Sequence, residues 1–191
     1  MSYRSLILPI LGILVSWTPT LRATTIVPAD LTMLVAESRA IVNGRVIQVR
    51  AGVDGEGRIE RLVTIGVSRY FKGDLGPEVT FKVPGGQVGR IRTVVVGAPE
   101  YEEGQDVVVF LGARGPSVPY VLGLGQGLFR VVFDAQTATR MVVPPPLEAG
   151  LVEQSVARGD TARRPLVFDA FAAKLTEVVR TSSSAPEKRA R

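Results

Sequence analysis

Four carboxylates fall close together at Glu100, Glu102, Glu103 and Asp106. Clustered acids supply the oxygen ligands that a hard cation takes. The spacing is not that of a calcium loop, however, and Pro99 and Gly104 mark a loop that leads into a strand. A solvated loop is therefore expected, with Glu102 and Glu103 kept as candidate interaction residues. A second candidate is the glycine-rich run Pro84-Gly85-Gly86-Gln87-Val88-Gly89-Arg90. Phosphate cradles of this type open a helix. This run opens the apolar stretch Ile91 to Val96 and lacks the Gly-Lys-Ser/Thr ending of a phosphate loop. A turn or bulge is expected, with Gly85 and Gly86 as candidate interaction residues. Asp54 and Glu56 sit in an Asp-Gly-Glu-Gly turn, where aspartate has a turn role.

The chain has no histidine and no cysteine. That removes the commonest general base, the thiolate nucleophile, disulfides and thiolate metal sites. There is no G-x-S-x-G, and Lys72, Lys82 and Lys174 lie in no motif that would pair them with a serine. No catalytic residue, metal site or cofactor is expected, and the chain reads as a non-enzyme.

The elements that would position these groups are mostly strands. Asp30 is placed to cap a short helix over Leu31 to Ser38. Ala40 to Arg50 and Ile59 to Phe71 alternate in apolar character about the Asp54–Gly57 turn, which predicts a hairpin. Further strands are expected over Glu78–Val83, Ile91–Val96, Asp106–Leu111, Tyr120–Leu124, Phe129–Asp134 and Thr139–Val143. Each is bounded by Gly or Pro. Gly123, Gly125 and Gly127 would permit close backbone packing. Pro144-Pro145-Pro146 should close the β-domain, since proline cannot continue a ladder. Residues 147–164 read as a linker. A second helix is expected over 165–180, capped by Asp169. Phe171, Leu175, Val178 and Val179 give it one apolar stripe, which should dock on the sheet because so short a helix is marginal alone. Residues 181–191 read as a disordered basic tail.

The N-terminus has the three parts of an export signal. A short segment carrying Arg4 precedes the apolar run Leu6–Val15, and a more polar stretch ends at Ala23. The run is too short for a spanning helix, which needs roughly 18 or more apolar residues. Residues 1–23 are expected to be cleaved, placing the protein in the periplasm or outside the cell, with no transmembrane span. The net charge of +5 is unevenly spread. Residues 24–155 hold 13 basic and 14 acidic side chains, whereas residues 156–191 hold 8 and 4. The body is near neutral, so no nucleic-acid partner is expected. Tyr70, Phe71, Phe81 and Phe129 lie on strands, where core roles are commoner than base stacking.

Three stretches resemble the netrin-like module, the OB-type barrel of the tissue inhibitors of metalloproteinases. Ser38-Arg39-Ala40-Ile41-Val42-Asn43-Gly44-Arg45-Val46 is similar to the family's first strand after a short helix. Thr64-Ile65-Gly66-Val67-Ser68-Arg69-Tyr70-Phe71-Lys72-Gly73 resembles its second strand with an aromatic-Lys-Gly exit. Gly104-Gln105-Asp106-Val107-Val108-Val109-Phe110-Leu111-Gly112 is similar to a late strand after a glycine turn. The resemblance implies a single antiparallel OB-like barrel over 24–146 with a helix at each end. The family's inhibitors chelate the protease zinc through an N-terminal cysteine, which this chain lacks. Cleavage after Ala23 would instead present the α-amine of Thr24. The expected function is an exported, non-enzymatic interaction module whose partner is another exported protein. The alternative is a regulator of an exported metalloprotease.

Overall fold

The computed structural model describes residues 29–115, 117–145 and 164–184. The export segment, Thr24 and most of the expected linker and tail lie outside the described residues.

The chain is mainly β. Its order is α1 (Leu31–Glu37), β1 (Ala40–Val53), β2 (Ile59–Lys72), β3 (Glu78–Pro84), β4 (Gly86–Val88), β5 (Ile91–Thr93), β6 (Asp106–Gly112), β7 (Tyr120–Val121), β8 (Leu128–Asp134), β9 (Thr139–Val143), β10 (Leu166–Val167) and α2 (Phe168–Ser184). Eight strands form one mixed sheet in the order β1-β2-β3-β7-β6-β8-β9-β10. A further pairing of β1 with β6 closes β1, β2, β3, β7 and β6 into a ring. The sheet is not purely antiparallel as expected: within the ring β3 and β7 run parallel, because β7 returns antiparallel to β6 and meets the edge of β3 in the same direction. Strands β4 and β5 form a separate hairpin.

Strand β6 explains the packing. Its sequence, DVVVFLG, is apolar at successive positions because both of its faces are buried. Val107, Val109 and Leu111 point into the ring with Val42, Val63, Ile65 and Phe81. Val108 and Phe110 point the other way, into a second core completed by both helices. There Phe129 lies 5.5 Å from Phe110 and 5.2 Å from Phe171, centroid to centroid. The stripe of α2 thus docks as its spacing predicts: Phe171 and Leu175 are fully buried, and Val178 and Val179 pack at the margin. Buried Asn43 donates from Nδ2 to Val107 O at 3.0 Å, which ties β1 to β6.

The aromatic-Lys-Gly exit of β2 holds α1. Asp30 caps that helix, its Oδ1 accepting from Met33 N at 2.6 Å. At the other end Lys72 Nζ donates to Val35 O at 2.6 Å, satisfying a carbonyl that a seven-residue helix leaves unpaired. Burial lowers the Lys72 pKa. Gly73 has φ +68°, and a Cβ there would lie 2.5 Å from Arg39 O. Only glycine permits that approach.

Several boundaries differ from the sequence expectation. Helix α1 ends at Glu37, with Ser38 as its cap. Helix α2 covers Phe168–Ser184 rather than 165–180, and Asp169 lies in its first turn rather than at the cap. Its last turn runs into the expected tail, and there the hydroxyls of Thr181, Ser182 and Ser183 donate back to the carbonyls of Glu177 and Val179. The prolines do not end the sheet. Strand β10 returns to pair with Val142 and Met141 of β9 and leads directly into α2. The expected strand Tyr120–Leu124 is only two residues long and passes into a 3₁₀ turn over Leu124–Gly127. The turn loops out residues between β7 and β8, both of which pair with β6. Its glycines do allow close packing: Gly125 N donates to Gly97 O at 2.7 Å.

Candidate functional site

The inward positions of early β2 are Ile59, Arg61, Val63 and Ile65, so an arginine occupies a core register. Its side chain is 10% exposed and lies where the start of β2 pairs with the ends of β1 and β3, opposite Ala51 and Val83. Arg61 Nε donates to Gly85 O at 3.3 Å and Nη2 to Pro99 O at 3.0 Å, while Nη1 pairs with the Glu100 carboxylate. One cation therefore draws two distant loops onto the strand end. The fit depends on Gly86, where a Cβ would lie 3.0 Å from Arg61 Cγ. Gly85, at φ +81°, would place a Cβ 2.9 Å from Thr93 O.

Above Arg61 stands the β4–β5 hairpin. Val88 and Ile91 pair across Gly89 and Arg90. Gly89 takes φ +58° and Arg90 has no positive φ, as the first and second positions of a II′ turn require. Between the hairpin, Arg61 and the 94–100 loop is an open cleft of about 360 Å³. Its walls include Gly85, Gly86, Gln87, Arg92 and Thr93. A smaller hollow of about 230 Å³ lies on the far side of that loop, bounded by Gly97, Pro99, Arg130 and Pro145.

The hairpin and the segment after it are unusually exposed. Ile91 is 67% exposed, Val94 73% and Val96 61%. Arg90 and Arg92 are also exposed and make no ion pair or hydrogen bond among the described residues. The stretch Ile91–Val96 was expected to be a strand of the body. Its first half is instead the outer strand of the β4–β5 hairpin, and Val94 and Val95 have no ladder partner among the described residues. An apolar run reads the same in sequence whether it faces a core or a partner.

Beneath the cleft, Tyr101 packs its ring edge-on to Phe81 at 5.4 Å. Its hydroxyl is buried and has no hydrogen-bond partner among the described residues. Burial raises its pKa, partly opposed by the charges of Arg61 and Arg130. A cation tied to three oxygens and a phenol held neutral offer charge and hydrogen bonds rather than a proton acceptor.

The candidates from sequence are therefore separated. Gly85 and Gly86 line the cleft and have structural tasks there: Gly86 leaves room for Arg61 Cγ, and Gly85 leaves room for Thr93 O while its carbonyl accepts from Arg61 Nε. Glu102 and Glu103 are exposed on the next turn and do not line it. The acidic cluster is dispersed among different partners: Glu100 goes to Arg61, Glu103 Oε1 accepts from Val49 N at 3.3 Å, and Asp106 pairs with Arg45 at 3.0 Å. Among the described residues no three acidic groups converge as a metal site would need. Thr24 lies outside the described residues. Sequence reasoning missed Arg61 and Arg92. The signal for Arg61 was present, as a charge at an apolar parity between Ile59 and Val63. Comparison with protein-family models, curated proteins and solved structures returned no match.

Proposed function

We propose that this chain is an exported, non-enzymatic interaction module built on an OB-type, netrin-like barrel. Support for the fold reading comes from the five-strand ring with a single parallel pair, and from the two terminal helices packed together on its outer face. The observation that carries the binding reading is the hairpin. Three large aliphatic side chains more than half exposed, beside two arginines without an ion pair among the described residues, are costly to leave in water and match the composition of interfaces.

The test is capture from the exported fraction by the full chain and by Ile91→Asp/Val94→Asp. The reading expects the wild type to retain a partner that the variant loses, with unchanged thermal stability, because both side chains are exposed. Equal capture by the two proteins refutes the hairpin as the binding face. Capture of nothing by either refutes the module itself.

A further inference from the structure

We propose that β5 receives an extended acidic segment of a partner polypeptide as an added strand. The inference rests on the binding-module reading and gives its partner a chemistry. It starts from the backbone. Among the described residues strand β5 pairs only with β4, so its outer edge has no strand beside it there. In a two-residue hairpin the residues flanking the turn exchange hydrogen bonds, and the next pair turns its backbone groups outward. Val88 and Ile91 are the flanking pair and Gln87 and Arg92 the next. The N–H and C=O of Arg92 therefore face the open edge, where an incoming strand would bind them.

The side chains define what that strand carries. From Pro84 to Ala98 the chain has Arg90 and Arg92 and no acidic residue. Glu100, the nearest acid of the cleft, is already paired with Arg61. The uncompensated charge is positive, and Ile91, Val94 and Val96 lie alongside it. A complementary segment alternates acidic with aliphatic residues. A second copy of this hairpin would bring two more arginines and no acid. An anionic bilayer would match the charges and the aliphatic side chains, but it offers no strand to pair with the edge N–H and C=O groups of β5. A peptide strand satisfies all three features.

The probes are two end-blocked synthetic peptides, Gly-Val-Glu-Val-Glu-Val-Gly and its lysine analogue, measured by fluorescence anisotropy with the full chain. The glutamate peptide is expected to bind at least about tenfold more tightly than the lysine peptide and to weaken with added salt. Arg90→Glu/Arg92→Glu should reverse that preference. Arg92→Pro removes the outward N–H and keeps the β4–β5 bonds, so it should abolish binding that Arg92→Ala only weakens. Indistinguishable binding of the two peptides overturns the proposal, as does equal behaviour of Arg92→Pro and Arg92→Ala. Phosphatidylglycerol vesicles that bind the chain and displace the peptide would assign the hairpin to a membrane instead. If neither peptide binds while partner capture still depends on Ile91 and Val94, the added strand is refuted and the module reading stands. If capture is also lost, both fall.

Discussion

Replacing Phe171 with alanine removes a ring at the centre of the outer core. Phe171 is 1% exposed and continues the line Phe110–Phe129–Phe171, whose centroids are spaced 5.5 and 5.2 Å apart. The ring neighbours Phe110 and Phe129 sit on β6 and β8, which are fixed by ladder pairing to each other. The cavity should therefore persist, and the cost should reach the range of buried aromatic truncations, about 3–5 kcal/mol. For a domain of this size each kcal/mol lowers Tm by about 2–4 °C, so a fall of about 6–20 °C is expected. Thermal unfolding followed by far-ultraviolet circular dichroism measures it. Truncation after Arg164 removes β10 and α2 together and should cost at least as much. A change below about 1 kcal/mol in the point variant, with an unaltered spectrum, would refute the packing of α2 against β8.

Arg61→Met should destabilise by about 1–3 kcal/mol in urea unfolding, because it strands the carbonyls of Gly85 and Pro99. Glu100→Gln should cost less than about 1 kcal/mol, since that side chain is 73% exposed and water can replace its partner. For Tyr101, burial raises the folded pKa above the unfolded value of about 10, so the folded state retains a proton that the unfolded chain releases. Stability from this group is thus full below that pH and is lost as pH rises beyond it. Tyr101→Phe should flatten the alkaline decline and be neutral or stabilising at about pH 7, which urea titrations at about pH 7 and above about pH 10 would reveal. Mass spectrometry of the exported protein should place its first residue near Thr24; a chain still beginning at Met1 would refute cleavage of the leader.

The local elements were legible where one short-range rule decides them. Asp30 before an apolar i, i+3, i+4 pattern gives α1, and alternation on both sides of Asp54–Gly57 gives the β1–β2 hairpin. The stripe on α2 was readable because its period is helical and water disfavours it. Ring closure was not, because Asn43 meets Val107 across 64 residues and no local pattern encodes that partner. The candidate site was half readable. Gly85 and Gly86 mark where the backbone is crowded, but the local sequence does not say by what: Thr93 O crowds Gly85, and the side chain of Arg61, on β2, crowds Gly86. The outward face of Ile91–Val96 was invisible to periodicity, since three consecutive valines have no polar side to contrast with.

Strand β6, buried on both faces, also governs when the molecule can fold. Its partner β1 is made early, pairs locally with β2, and then waits for a neighbour 64 residues downstream. Separation of that order puts loop closure ahead of the contacts that reward it, and slows the search. Neither core can be completed before β6 arrives, because each draws one face from it. The two cores should therefore form and melt together, and the amides of Val107 to Phe110 should exchange with solvent only when the whole domain opens. Strand β4 packs against β1 and β2, but the outer edge of β5 has no strand beside it among the described residues, so the outward amide of Arg92 should exchange fast in the free protein. Slowing of that exchange would give a direct readout of an occupied edge.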